Sequence, residues 1–372
     1  MSDDSNIAFG DSPTVPLPGG GDGAVTLGRY RLLRELGRGG FGTVWLAEER
    51  GDVTRRVAIK ILTDPQSSRE VLARFRQEVQ AQAIMTHPGI AKVLAADTAP
   101  DGRPYYVMEY IKGLPITAFC DQRELSIKDR LELFRRVCDA VQHAHTKGVI
   151  HRDLKPSNIM AGLIDGAERF DSVEQVFVRV IDFGVAKAID RPLIDATIVT
   201  ADFQMIGTAG YMSPEQASPD AMGIDTRSDV YSLGVLLYEL LVGARPFTNE
   251  QIRDAMWKGI HKFLQETEPP PPSTRLSNLS KANGDEGGGT ATIARARRCP
   301  LDNLVEQLRR ELEWIPLRAM AKLPDERYRS PAELSDDVGR YLEGKPLVAG
   351  PRTFWYHTKK VARLYRKQVA VA

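Results

Sequence analysis

The spacing of apolar positions changes period along the chain. Residues 30–36, 43–47 and 56–62 alternate or cluster β-branched and aromatic side chains around a glycine-rich turn, which predicts strands of a small antiparallel sheet. Residues 69–85, REVLARFRQEVQAQAIM, switch to helical spacing with few breakers. Another apolar strand is expected over 105–111, after the Asp101-Gly102 turn, and beyond it helices dominate. Residues 125–147 align Leu131, Phe134, Val137, Cys138 and Val141 on one stripe, and the pattern stops at Gly148, a residue suited to closing a helix. Two more helices are expected around 228–242 and 301–321. Between them, residues 266–299 carry a Pro, Gly and Ser load that predicts an exposed insertion. Residues 1–28, with Pro-Leu-Pro and Gly-Gly-Gly-Asp-Gly, are expected to form a flexible leader, because they offer too little apolar surface to offset the entropy of ordering. No repeat of solenoid length is visible. The outline is a β-rich first part followed by a larger helical one.

Composition narrows this only a little. A chain of 372 residues holds two or three typical domains or one large bilobed unit. A net charge of +1 gives no reason to expect nucleic acid as a partner. The 3 cysteines are scattered and form no CxxC, which argues against a disulfide scaffold or a structural zinc site and favours a reducing, cytoplasmic compartment. The first residues lack the apolar core of a signal peptide, and no run of about 18 apolar residues is present. The charge is uneven, however. After Glu343 there are no further acids, whereas Lys345, Arg352, Lys359, Lys360, Arg363, Arg366 and Lys367 are present, with Phe354, Trp355, Tyr356 and Tyr365 among them. Residues 345–372 therefore resemble a juxtamembrane segment, which would place the protein on the cytoplasmic face of a membrane if the native chain continues into a span. The alternative is an ordinary terminal helix.

Four short motifs stand in order along the chain. Gly37-Arg38-Gly39-Gly40-Phe41-Gly42-Thr43-Val44 is a glycine-rich loop whose backbone N–H groups can approach phosphate oxygens with no Cβ in the way. The next residues, Thr43 to Ala47, are β-branched and aromatic, so the loop is expected to turn a hairpin instead of opening a dinucleotide-binding helix. Val57-Ala58-Ile59-Lys60 ends a strand on a cation. His151-Arg152-Asp153-Leu154-Lys155-Pro156-Ser157-Asn158 gathers a carboxylate, an ammonium and an amide, and Asp182-Phe183-Gly184 comes after a strand-like segment at 176–181. Each motif alone is weak; the ordered set is not.

This set resembles the eukaryotic-type protein kinase family, and its style that of bacterial serine/threonine kinases, over residues 30–344. Gly207 to Glu215 resembles the end of an activation segment, with Ser213 in place of the usual alanine. Ser228 to Gly234 and Pro324 to Tyr328 are similar to the family's later signatures. The resemblance implies an α+β, bilobed fold spanning 29–344. The N-lobe, about 30–111, would be a small antiparallel β-sheet with one helix. The C-lobe, about 112–344, would be larger and mainly helical.

It also implies ATP and Mg²⁺ as cofactors and Ser/Thr hydroxyls of proteins as acceptors. Asp153 is then the expected base, with Lys155 beside it, while Lys60, fixed by Glu78, holds phosphates and Asn158 and Asp182 hold the metal. Gly37, Arg38, Gly39, Gly40, Phe41, Gly42, Val44, Ala58, Met108, Glu109 and Ile111 are the expected ATP contacts, with 108–111 as the hinge beside adenine. Thr208 is expected near Asp153 and Lys155. Thr197 and Thr200 are candidate phosphorylation sites that Arg152 would answer, and a dimer is the candidate arrangement for autophosphorylation.

The bland alternatives are a solvated helix face for Glu78, a plain buried strand for the hinge and solvated loop threonines. Two departures from the family pattern stand out. Gln82 replaces an apolar residue expected to stack on Phe183, which predicts looser docking of its helix. The stretch between Asp153 and Asp182 is long, and residues 162–173 are expected to be an exposed insertion. His143 and His145, two positions apart on a helix, face different ways and are expected to be core or interface residues instead of a metal pair. Two rival readings remain open: a scaffold that keeps the fold without turnover, and a small-molecule phosphotransferase. The complete set of polar site residues disfavours the first, and the long segment from Thr208 to Glu215 disfavours the second.

Overall fold

The computed structural model describes residues 25–39, 42–62, 69–164, 167, 169–183, 207–218, 223–282, 288–351, 353, 356, 358 and 360. The expected leader lies outside them up to residue 24, as do Gly40, Phe41, Thr197, Thr200, the side chain of Glu78 and residues 361–372 of the tail.

Six antiparallel strands form the first part: β1 (Thr26–Leu27), β2 (Tyr30–Gly39), β3 (Gly42–Glu49), β4 (Arg55–Leu62), β5 (Val93–Thr98) and β6 (Pro104–Glu109), in the spatial order β1-β2-β3-β4-β6-β5. The glycine-rich segment joins β2 to β3, with Gly39 opposite Gly42, so it is a hairpin as the pattern predicted. Gly42 has φ +148°, and a Cβ there would stand 2.2 Å from the Ile61 carbonyl oxygen on β4, which is why this position must be glycine. One helix, α1 (Arg69–Ala83), packs Phe75 and Val79 against Ala58, Leu62, Tyr106 and Met108 on one face of the sheet.

The second part begins with β7 (Leu114–Pro115), α2 (Ile116–Gln122) and α3 (Ile127–Thr146), the last capped by the Ser126 hydroxyl, which accepts from Asp129 N–H. A small sheet comes next: β8 (Ile159–Leu163) pairs with β7 and with β9 (Val176–Val180). Its edge meets the first part through reciprocal bonds between 89–91 and Val180, at 2.8 and 3.0 Å. At the centre lies α4 (Thr226–Val242), almost wholly buried. A helix apolar on every side is a core helix, and its neighbours α3, α10 (Trp314–Ala319) and α11 (Pro331–Leu342) supply the surrounding layer. It ends at Gly243 in the left-handed conformation, φ +79°.

The 266–299 stretch differs from its expected exposed state. After α5 (Asn249–Lys258) and α6 (Ile260–Glu266), it carries α7 (Pro272–Ala282) and α8 (Gly288–Ala296). Leu276 is fully buried, and Arg297 donates to the Leu240 and Leu241 carbonyls at 3.0 and 2.5 Å, beside Arg130, which reaches Leu240. The last carbonyls of α4 have no partner within the helix, and these two arginines satisfy them. The proline and glycine content marks only the ends of α7 and α8. The 301–321 helix is also less regular than its pattern: α9 (Leu301–Gln307) passes through a π-helical turn at Leu308–Leu312 before α10.

The tail is not free where it is described. The buried Asp337 carboxylate accepts from Val348 N–H at 2.6 Å, Ala349 N–H at 2.8 Å and the Tyr328 hydroxyl at 2.8 Å, while Tyr356 stacks edge-on against Trp314. No helix among the described residues is long and apolar enough to cross a membrane.

Candidate active site

The segment His151–Asn158 hangs from one buried carboxylate at the start of α4. Asp229 accepts the His151 N–H at 2.8 Å, the Arg152 N–H at 2.8 Å and a bond with His145 Nε2 at 2.7 Å. Burial alone would push Asp229 upward, yet the bond and charge of His145 hold its carboxyl below the usual range. That grip matters because Arg152 adopts φ +63°, a conformation costly for a non-glycine residue unless the surroundings impose it. His151 is fully buried, and burial lowers its pKa. Asp153 N–H donates to its Nδ1 at 3.3 Å, so Nε2 is the nitrogen left to carry the proton toward the Ile181 carbonyl at 3.1 Å. The imidazole also lies against the Phe183 ring, with centroids 4.5 Å apart.

Asp153, Lys155, Asn158 and Thr208 meet at one point. Lys155 Nζ is 3.0 Å from Asp153 Oδ2 and 2.9 Å from Thr208 Oγ1. Asn158 Nδ2 donates to the Asp153 backbone carbonyl at 2.8 Å and to its Oδ2 at 3.1 Å. The amide nitrogen is thus committed, and its oxygen is the atom Asn158 can offer a cation. A carboxylate beside an ammonium, with a hydroxyl in reach of the ammonium, can orient an acceptor alcohol and take its proton.

The second group comes from both parts of the fold. Lys60, buried on β4, donates to Asp182 Oδ1 and Oδ2 at 2.7 and 2.5 Å, and the Tyr106 hydroxyl also donates to Oδ1. Asp182 has φ +59°. Burial would raise its carboxyl, but the Lys60 charge, the hydrogen bonds from Lys60 and Tyr106 and the nearby His151 leave it below the usual range. Val44 sits opposite Lys60 across the β3–β4 ladder, and Ala58 opposite Met108 across β4–β6. Glu109 N–H is bonded to the Lys92 carbonyl at 2.9 Å, and Ile111 lies just beyond β6, half-buried. Arg38 forms an exposed pair with Glu35 at 2.9 Å on the outer part of the hairpin.

Around Thr208 the chain is pinned to the C-lobe. Gly207 carbonyl accepts from Arg245 at 2.9 Å, Tyr211 hydroxyl donates to Glu239, and Gln216 Nε2 donates to the Arg152 carbonyl at 2.9 Å. Glu215 pairs through both oxygens with the buried Arg327 at 2.7 and 2.8 Å and accepts from the Ser228 hydroxyl at 2.7 Å. Ser213 is fully buried and sits beside Gln216, so its replacement of alanine is absorbed locally: its hydroxyl donates to Gln216 Oε1 at 3.2 Å and accepts from Gln216 N–H at 3.4 Å.

Four contributors are not legible in the sequence. Asp229 and Arg327 lie inside signature segments, but nothing in a linear pattern says that one carries a strained loop and the other a buried glutamate. Tyr106 looks like any strand aromatic. Gln82 is expected to loosen α1; instead it is buried, 7% exposed, and its Nε2 donates to the Phe183 carbonyl at 2.6 Å. A glutamine reaches a backbone acceptor where an apolar residue would only touch the ring. His145 is engaged with Asp229 and His143 stacks on His87 at 5.1 Å, as expected of interface histidines.

The fold and this constellation define the protein kinase class, and the chain belongs to that family: the Protein kinase domain matches residues 30–285. Among curated relatives it is 35% identical to the serine/threonine-protein kinase Pkn1 of Myxococcus xanthus, over 82% of this chain and 37% of that protein. It is 34% identical to serine/threonine-protein kinase PknB of Mycobacterium tuberculosis, over 86% of this chain and 44% of that protein. The chain therefore spans less than half the length of these relatives. The Mycobacterium tuberculosis PknI kinase domain shares the fold, with a TM-score of 0.54 at 23% identity, covering 85% of this chain and 98% of that one.

Proposed function

We propose that the protein is an ATP-dependent serine/threonine protein kinase. The observation that carries this reading is the meeting of Asp153, Lys155 and Asn158 with Thr208, together with the buried Lys60–Asp182 pair. Phosphoryl transfer needs positioning and charge neutralisation more than covalent chemistry, and these residues supply both. Asp153 takes the proton of the acceptor hydroxyl as the hydroxyl oxygen bonds to the γ-phosphorus. The bond to the bridging oxygen breaks, leaving its electron pair on ADP. Lys155 neutralises charge between acceptor and phosphate, and Lys60 turns from Asp182 toward the nucleotide phosphates with Glu78 as its alternative partner. The donor set of one carboxylate and one amide oxygen suits Mg²⁺, which when bound neutralises the phosphate oxygens; Asp182 and Asn158 would hold it. The glycine hairpin would cover the phosphates and 108–111 would read adenine.

Proteins are the proposed substrates, since the pinned segment from Gly207 to Glu215 offers an acceptor peptide a fixed platform. Thr197 and Thr200 are the proposed autophosphorylation sites, and membrane association through the basic tail belongs to the same proposal. Transfer of labelled γ-phosphate to the protein itself and to a generic basic protein tests the central point. Wild type is expected to incorporate label and Asp153→Asn at most about 1% as much; equal incorporation would refute the assignment, and nucleotide binding without incorporation would favour a scaffold.

A further inference from the structure

Behind the Asp182–Phe183 turn, two polar side chains occupy what is otherwise an apolar wall. Tyr106 on β6 is fully buried among Phe75, Val79, Met108, Ala58 and Leu62, and its hydroxyl donates to Asp182 Oδ1. Gln82, in the last turn of α1, donates to the Phe183 carbonyl at 2.6 Å. A buried hydroxyl or amide is costly without a partner, so both bonds constrain where the turn can sit. Such constraint helps Asp182 hold its φ of +59°, a left-handed conformation that costs a non-glycine residue. The two grips are complementary: one sets the carboxylate, the other the backbone immediately after it. They also come from different elements, so a shift of α1 moves the turn through Gln82.

We propose that Tyr106 and Gln82 are positioning residues that hold Asp182 and Phe183 in the geometry that receives the metal–nucleotide. Tyr106 fixes Oδ1 and leaves Oδ2 to be freed when Lys60 turns to phosphate. Gln82 replaces ring packing with a directed bond and couples α1 to the same turn. This deepens the kinase reading and rests on it, but its first test does not need turnover.

The variant Tyr106→Phe keeps the ring and removes the hydroxyl, and Gln82→Ala removes the side-chain amide without placing an apolar chain against the Phe183 ring. In nucleotide-free protein, amide hydrogen exchange of the peptide spanning Ile181 to Phe183 is expected to rise about tenfold in each, with peptides of α3 and α4 unchanged. Binding of Mn²⁺ to the ADP-loaded protein, monitored by electron paramagnetic resonance, is expected to weaken about tenfold, the scale usual for losing an outer partner of a metal ligand. In label transfer, kcat falls while KM for the acceptor protein is unchanged. Exchange and Mn²⁺ affinity within about twofold of wild type in both variants would overturn the proposal, as would loss confined to thermal stability. If Tyr106→Phe does not fold, Tyr106→Met is read by the same two measurements. Failure of wild type to transfer phosphate would sink the kinase reading yet leave the exchange result standing on its own.

Discussion

The two halves of the site are anchored in opposite ways. The loop carrying Asp153, Lys155 and Asn158 hangs from Asp229, a fully buried carboxylate on the central helix, through bonds to two successive backbone N–H groups and His145. The Lys60–Asp182 half spans the two parts of the fold and is held by an ion pair, the Tyr106 hydroxyl and Gln82. The first anchor lies within the larger core, with the Asp229 and His145 side chains almost wholly buried. The second joins β4, β6 and α1 of the first part to the segment that follows β9. The acceptor side is therefore preformed, whereas the nucleotide side is assembled, and substitutions in the two halves should separate stability from turnover.

The largest effect is expected at the first anchor. Asp229→Ala leaves two backbone N–H groups and His145 without their acceptor in a fully buried site, and breaking a buried charged network of this kind costs about 3–5 kcal/mol. Urea unfolding should show that loss in the midpoint, with phosphate transfer abolished in whatever remains folded. A variant as stable as wild type would erase the distinction between the halves.

Lys60→Met is the matching change on the other side. It removes the cation from Asp182, but Tyr106 remains as a donor and the pair lies at the boundary between the two parts, with Asp182 19% exposed in its side chain. Replacing one member of such a pair by an apolar chain of similar length is expected to cost less than breaking the Asp229 network, because the Tyr106 hydroxyl still pairs with Asp182 and that carboxylate reaches solvent. Phosphate transfer should fall at least about a hundredfold, because the phosphates lose their buried cation. If Lys60→Met proves as destabilising as Asp229→Ala, the nucleotide side is part of the folding core after all.

How far the sequence discloses these two halves obeys the same division. The strands around the glycine hairpin, the α1 and α3 patterns and the motif residues are legible, because a period of burial or a run of special residue types is written locally. The features that escape depend on distant partners. Short β7 and β8 carry no period long enough to notice and exist because each completes a ladder. The 266–299 stretch is rich in helix breakers, yet α7 and α8 form because they bury Leu276 and because Arg297 satisfies the end of α4. Gln82 breaks an expected apolar position, and only the carbonyl of Phe183, about a hundred residues away along the chain, explains it. Local rules fail most where a polar group is buried against a partner from another element.

The smallest and most discriminating effect is in pH dependence. His151 is buried and its pKa is lowered, chiefly by loss of hydration, against the opposing pull of Asp229, Asp153 and the Ile181 carbonyl. The unfolded chain, with an ordinary histidine pKa of about 6.5, therefore binds a proton that the folded one refuses. Its contribution is fully present above about pH 6.5 and is lost as pH falls through that value toward the folded pKa. His143, also lowered by burial, adds the same sign. Asp229, Asp182 and Glu215 are lowered carboxylates, so their contributions hold above the unfolded values of about 3.9 and 4.3 and fail only as pH drops through the folded ones. Glu239 runs the other way: burial raises it, and its contribution is lost as pH climbs through the raised value. Two acid limbs should result, one beginning near pH 6.5 with a slope of at most about 1.4 kcal/mol per pH unit from His151, the other below about pH 4. In His151→Gln, the upper limb of melting temperature against pH should flatten while the lower limb persists. An unchanged upper limb would mean that His151 is not held neutral beneath the Phe183 ring, and the hinge between the preformed and the assembled half would have to be sought elsewhere.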